Sequence, residues 1–299
     1  MKPELASGLV VAAHGRHLIV ESADGVRRLC HLRGKKTEAV VGDHVRWAVS
    51  GDGGVVEALA PRHNLLWRQD EWRSKAFAAN LDRILVLVAG EPMFGESQLA
   101  RTLLAAAHAG IEAMIGLNKT DLPTAAAARE RLAPYRAMGV PVLELALKSR
   151  PAESLATLQP TLAGHITLVL GPSGTGKSTL INRAVPGADA QVGEISVALG
   201  TGRHTTTSTR WYWLADRQGA LIDSPGFQAF GLHHVPADQL ATLMPDLAPH
   251  LGGCRFYNCT HRHEPGCALR EAAQQGRINA GRWRLYGEFY DELSAPTRY

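Results

Sequence analysis

The chain has 299 residues, enough for two or three domains of roughly 100 to 150 residues each, and its 45% apolar and 20% charged content excludes a fibrous or disordered class. A net charge of +4 permits a polyanionic partner without requiring one. The opening MKPELASG has no apolar core of a signal peptide, and the longest apolar stretches, 84–89 and 166–170, are far too short to span a bilayer, so a cytoplasmic protein with no membrane partner is expected.

Short apolar runs at 8–12, 17–22, 26–31, 45–49 and 55–59 are separated by Gly, Asp and basic residues. Five strands in such a short span predict a small barrel, with the five-stranded OB-fold as the commonest candidate. A barrel of this kind binds oligonucleotides or serves as a plain docking module. Residues 61–80, with Arg62, Arg68, Arg73 and Lys75, read as a polar connector, and a first domain is expected at 1–68.

From 82 to 230 the pattern changes to buried strands alternating with helices. Strands are predicted at 84–89, 113–117, 142–146, 166–170, 209–214 and 220–222, and helices at 97–108, 125–137 and 176–183. Such alternation predicts an α/β domain, at 69–232, with a mostly parallel, doubly wound sheet and ligands at the carboxyl ends of the strands. From 233 to 299 no strand is predicted, and helical segments are expected to flank a cluster of cysteines.

The strand at 166–170 is followed by Gly171-Pro172-Ser173-Gly174-Thr175-Gly176-Lys177-Ser178-Thr179 and then a helix, which is the setting a phosphate-binding loop requires. Its glycines let backbone N–H groups face the phosphates at the helix N-terminus. Lys177 neutralises the β- and γ-oxygens, and the Ser178 hydroxyl is a Mg²⁺ ligand. The base is chosen elsewhere. Asn118-Lys119-Thr120-Asp121 follows the strand at 113–117, and the Asp121 carboxylate can accept from both N1–H and the 2-amino group of guanine, donors that adenine lacks. Asn118 would brace neighbouring loops while the Lys119 stem lies over the base. GTP and GDP are therefore the expected nucleotides.

At the end of the strand at 220–222, Asp223-Ser224-Pro225-Gly226 offers a carboxylate that can hold Mg²⁺ through water and a Gly226 N–H that can sense the γ-phosphate. Between this motif and the phosphate loop, Gly202-Arg203-His204-Thr205-Thr206-Thr207 supplies hydroxyls for a second Mg²⁺ contact, with Thr206 preferred over Thr205 or Thr207. The residue after the DxxG motif is Phe227, which cannot hydrogen-bond an attacking water. Unassisted hydrolysis is expected to be slow, on the order of 10⁻² per second or below. His204 is the nearest candidate to position the water, and Lys177 and His204 are the candidate catalytic residues. In most G domains the base motif comes last; here it precedes the phosphate loop, so the sequence reads as a circularly permuted G domain.

A third constellation is Cys254-x4-Cys259-x-His261-x5-Cys267, four donors that match a closed, structural Cys3His zinc site with one Zn²⁺ per chain, His263 being a rival for His261. Residues 254–284 also carry six Arg (255, 262, 270, 277, 282 and 284) against two Glu (264 and 271), with Phe256, Tyr257 and Trp283 interleaved. This is either an RNA-facing patch or a solvated helical face.

These features together closely resemble the ribosome small-subunit-dependent GTPase A family (RsgA, also called YjeQ), over essentially the whole chain. The matching pieces are Pro61-Arg62 and Arg68, Ala79-Asn80-Leu81-Asp82, the base and phosphate motifs, the Thr segment, Asp223 to Gly226, and Cys254 through Glu264-Pro265-Gly266-Cys267. The resemblance implies an N-terminal OB domain, a permuted G domain and a C-terminal zinc domain that dock on 16S rRNA of the 30S subunit late in its maturation. It also implies stimulation of GTP hydrolysis by that subunit and a role for His204; a monomer is expected. One departure stands out: where the family usually has a Ser-Ala pair in the loop that contacts the guanine carbonyl, this chain reads Leu145-Ala146-Leu147. Backbone N–H groups of Ala146 and Leu147 are then the expected contacts, with weakened guanine affinity. Competing readings are a GTP-gated RNA-binding adaptor with incidental hydrolysis and a permuted GTPase acting on the large subunit.

Overall fold

The computed structural model describes residues 5–34, 38–70, 73–188, 209–215, 217–224, 232 and 234–295. The five expected N-terminal strands form: β1 (Ala6–His14), β2 (His17–Ser22), β3 (Arg27–Leu32), β4 (His44–Ser50) and β5 (Gly53–Leu59). They pair in the order β1-β2-β3-β5-β4 and close through a β4–β1 ladder. All pairs are antiparallel except β3–β5. This is an OB-like barrel with no free edge. Alternate residues point inward, so Val10, Leu18, Val20, Cys30, Val45, Trp47 and Val56 fill its core.

The stretch 61–80, expected as a polar connector, is instead an antiparallel hairpin, β6 (Leu65–Asp70) and β7 (Arg73–Ala79). Its charged residues concealed a buried side: Leu66, Phe77 and Ala78 join the largest core of the molecule. Position 68/69 lies within β6. Arg62 is not a solvated cation either, since it grips the fully buried Asp43 with two hydrogen bonds of 2.6 and 2.8 Å.

The central sheet runs β10 (Val142–Glu144), β9 (Glu112–Asn118), β8 (Arg83–Ala89), β11 (Ile166–Leu170), β13 (Ala220–Asp223) and β12 (Arg210–Trp213). The first five are mutually parallel and β12 is antiparallel to β13. Side chains of β8 divide by the two-residue period: Ile84, Val86 and Val88 face one core, Leu85 and Leu87 the other. The first core takes α1 (Glu96–His108) and α2 (Ala125–Ala137), the second α3 (Pro151–Leu162) and α4 (Lys177–Ala184). Helix α3 was not expected, because Pro151 and Pro160 punctuate its sequence. Pro151 occupies its first turn, where no intrahelical N–H is needed, and Pro160 lies near its end.

Among the described residues one backbone pair, Ala12 opposite Arg210, joins the barrel to this sheet, making eleven continuous strands. The buried Glu21 of β2 reinforces the junction by accepting from Trp213 Nε1 at 2.7 Å and from the Arg217 guanidinium.

Beyond residue 232 no strand occurs among the described residues, as expected. Helices α5 (Ala268–Gln274) and α6 (Ala280–Ser294) follow the cysteine cluster, but only short 3-10 turns at Ala237–Gln239 and Ala248–His250 precede it, in a stretch that Pro236, Pro245 and Pro249 keep from forming a longer helix. The core here contains Leu240, Met244, Leu247, Leu285 and Phe289 and extends to Ala100 and Leu104 of α1. Arg101 of α1 pairs with Glu292 and lies 4.6 Å from the Phe289 ring centroid. Among the described residues, no helix is long and apolar enough to cross a membrane.

Candidate functional site

Because β8, β9, β10, β11 and β13 are parallel, the segments that leave their carboxyl ends meet along one edge of the sheet. The loop after β11 turns through Gly171 at φ 149° and Gly176 at φ 105°, both in the region that L side chains rarely adopt. A Cβ on Gly171 would lie 2.1 Å from the Leu87 carbonyl oxygen, and one on Gly176 would lie 2.4 Å from Asn118 Nδ2. These two glycines thus allow the loop to press against β8 and the base motif. Within the loop the Thr175 hydroxyl donates to the Pro172 carbonyl at 2.9 Å. Ser173 and Gly174 are exposed, and Ser178 and Thr179 lie in the first turn of α4, exposed and half-buried respectively.

Lys177 Nζ donates to the carbonyls of Gly171 at 2.7 Å and Pro172 at 3.1 Å. Burial pulls its pKa down, and the negative charge of Asp223 partly restores it. Asp223 ends β13 beside Val169 of β11. Burial pushes its carboxyl up to about 6, against the opposing pull of Lys177. A carboxylate held this far from water is stabilised by any cation that reaches it, so Asp223 and Ser178 could together serve Mg²⁺, directly or through water.

Asn118 interlocks three loops. Its Nδ2 donates to the Thr175 carbonyl at 2.8 Å, and its Oδ1 accepts from Leu147 N at 3.1 Å. Lys119 takes the left-handed conformation, φ 61°, and its Nζ donates to the Glu91 carbonyl at 2.7 Å. Thr120 donates through both its N–H and its hydroxyl to the Leu145 carbonyl. Asp121 is exposed beside them. Motifs separated by fifty residues therefore touch, with Lys177 and Asp223 at one end of the edge and Asp121 at the other. The arrangement could hold a polyphosphate at the first and read a base at the second.

Ala146 and Leu147 stand on the segment bonded to the base motif: Ala146 N donates to Ser154 Oγ at 2.9 Å, and Leu147 N donates to Asn118 Oδ1 at 3.1 Å. Leu145 itself is buried in the second core and carries no polar group, and the ties on this segment come from α3 and from Asn118. Ser154 and the Glu91 carbonyl were not anticipated, since a serine one turn into a helix and a main-chain oxygen carry no sequence signal. His204, Thr205, Thr206, Thr207, Gly226 and Phe227 lie outside the described residues.

Cys254, Cys259, His261 and Cys267 converge with all their donor atoms within 4.8 Å of one another. His261 Nδ1 is 3.5 Å from Cys254 Sγ and 3.4 Å from Cys267 Sγ, and the two sulfurs are 4.0 Å apart. A tetrahedral ion with Zn–S of about 2.3 Å and Zn–N of about 2.0 Å requires edges of roughly 3.5 to 3.8 Å, so the donor set fits zinc. His263 is exposed and outside the cluster. The loop is organised by Glu264, whose carboxylate accepts from Thr260 N and Oγ1, Arg262 N and His263 N. Partial burial would raise its pKa, but the hydrogen bonds from Thr260 and its neighbours outweigh burial and hold it at about 2. Glu264→Ala is expected to weaken retention of a bound zinc by about 10- to 100-fold in a chelator competition, with the four ligands intact. Unchanged retention would show that the loop holds its shape without Glu264.

The family model for RsgA GTPase matches residues 59–233, more than half of the chain. The chain belongs to the RsgA GTPase family. It is accordingly a GTP-hydrolysing enzyme. A Variovorax paradoxus protein named small ribosomal subunit biogenesis GTPase RsgA is 56% identical, over 99% of this chain and 94% of its own. A Bordetella pertussis protein of the same name is 53% identical over the full length of both. The crystal structure of YjeQ from Thermotoga maritima superposes with a TM-score of 0.73 at 27% identity, over 98% of this chain and 99% of that one. That of YloQ, described as a circularly permuted GTPase, shares the fold with a TM-score of 0.69 at 24% identity, over 99% and 97%.

In this RsgA-family chain the expected arginine patch is smaller than its sequence suggests. Arg282 is buried and chelates Asp246 at 2.9 and 3.0 Å, Arg262 pairs with Asp291 at 2.7 Å, and Trp283 stacks on Tyr286. Arg282 therefore belongs to the core. Arg255, Phe256 and the fully exposed Tyr257 remain on the surface of the cysteine loop.

Proposed function

We propose that this GTPase acts in maturation of the small ribosomal subunit, binding the 30S particle through its 16S rRNA and hydrolysing GTP to GDP faster when bound there. The observation that carries the nucleotide reading is the Asn118 interlock, because one hydrogen bond ties the base motif to the phosphate loop and a second ties it to the 145–147 segment. The ribosomal reading is supported by the names of full-length relatives above half identity.

In this assignment the loop of Gly171, Ser173, Gly174, Thr175 and Gly176, with Thr179, cradles the phosphates while Lys177 neutralises them. Ser178 and Thr206 ligate Mg²⁺, and Asp223 supports it through water. Asn118 and Lys119 frame the base, Asp121 reads it, Gly226 senses the γ-phosphate, and His204 orients water. Cys254, Cys259, His261 and Cys267 hold one structural zinc, and the parts 1–68, 69–232 and 233–299 act as barrel, G domain and zinc module of a cytoplasmic monomer. GTP turnover is expected to rise steeply when purified 30S particles are added and to remain at its basal value with 50S particles. Equal turnover in all three conditions would remove the small subunit as the partner.

A further inference from the structure

The segment 145–150 joins β10 to α3 and forms one wall of the ligand edge. Leu145, Ala146 and Leu147 have no polar side-chain atom, and all three are buried. What fixes this wall comes from outside it. Ser154, 3% exposed on α3, donates its hydroxyl proton to the Arg150 carbonyl and accepts from Ala146 N, both at 2.9 Å, so one oxygen ties the two ends of the segment together. Arg150 N donates to the Ala146 carbonyl at 2.7 Å and closes the same turn. On its other side the wall is bonded to the base motif, through Leu147 N to Asn118 Oδ1 and through Thr120 to the Leu145 carbonyl. Asn118 in turn holds the Thr175 carbonyl of the phosphate loop.

We propose that Ser154 is a positioning residue for base recognition, its hydroxyl setting the 145–147 wall against Asn118 so that guanine is discriminated from adenine. The inference rests on the guanine-site reading above. Asp121 takes the N1–H and 2-amino donors of guanine; the carbonyl on the same edge must then face whatever adjoins the 118–121 loop, and the segment bonded to that loop is 145–147. Removing the hydroxyl leaves the buried Ala146 N–H without an acceptor, a cost relieved only by moving the wall. Displacement there propagates first to Leu147 N and Asn118, the base end, while the phosphate loop keeps its own internal bonds from Thr175 and Lys177.

The test is calorimetric binding of GDP and ADP, each with Mg²⁺, to the full-length protein and to its Ser154→Ala, Ser154→Thr and Asp121→Asn variants, with thermal midpoints recorded beside them. Ser154→Ala is expected to weaken GDP by about tenfold and leave ADP, held through its phosphates, within about twofold. Ser154→Thr, which keeps the hydroxyl and its bond to the carbonyl four residues back, is expected to recover most of the loss. Unchanged GDP affinity in Ser154→Ala overturns the proposal. So does an equal loss for both nucleotides with a lowered midpoint, the signature of a serine that only holds the fold. The Asp121→Asn arm reads the site itself: if GDP binding survives there, the guanine site is wrongly placed and the proposal goes with it.

Discussion

Asp121→Asn is expected to exchange guanine for xanthine preference, with GTP affinity falling by a factor on the order of 10⁴. The carboxylate accepts two protons from the guanine edge, from N1–H and the 2-amino group. An asparagine in its place still accepts from N1–H through Oδ1, but its amide N–H₂ meets the 2-amino donor head on. Xanthine carries a carbonyl at that position and restores the match. Because Asp121 is exposed at the rim of the edge, the substitution removes no internal hydrogen bond described for the fold, so stability should be preserved. Fluorescence titration with GTP and XTP, alongside a thermal melt, reads both consequences. Undiminished GTP binding would mean that the base lies elsewhere.

Cys259→Ser is expected to abolish zinc retention and to loosen the C-terminal module selectively. Structural zinc supplies apparent binding energies of about 10 to 16 kcal/mol in small zinc-folded peptides, so one lost thiolate removes a large share of what holds a module without strands. This module also has an apolar core of its own: Cys254, Cys259 and Cys267 pack against residues that include Leu269, Tyr286 and Phe289. The expected outcome is partial, with amide protons of residues 234–295 exchanging faster and those of β8, β9 and β11 unaffected. Metal analysis showing full zinc content in the variant would refute the ligand assignment.

Much of this was legible beforehand, for physical reasons that differ by region. Barrel strands were visible because each alternates between core and solvent and is closed by Gly or Asp, and the observed β2 coincides with the run at 17–22. The parallel strands were visible as short apolar runs because both their faces are covered, as Ile84 to Val88 show. Phosphate and cysteine motifs were readable because their chemistry fixes residue type and spacing together. Signals failed where a side chain serves a partner distant in sequence. Arg62 and Arg282 look like surface cations until Asp43 and Asp246 are brought to them by the fold. Leu145 marked a departure at the base wall, but nothing local indicated that Ser154, nine positions on, carries the compensating hydroxyl. The β6–β7 hairpin was hidden because its run of charges in sequence breaks the alternation, although Leu66 and the stretch from Ala76 to Ala79 are buried.

The seam between barrel and sheet has a mechanical consequence. Arg210 stands opposite Ala12 of β1 on one side and Asp223 of β13 on the other, so a single residue of β12 is flanked by the wall of the barrel and by the carboxylate whose charge acts on Lys177. With Glu21 fastening the far end of β12, the barrel is less a passenger on a tether than the outermost planks of the same deck. To swing the barrel against the sheet, the Arg210 pairing and the Glu21 bonds to Trp213 and Arg217 must first give way.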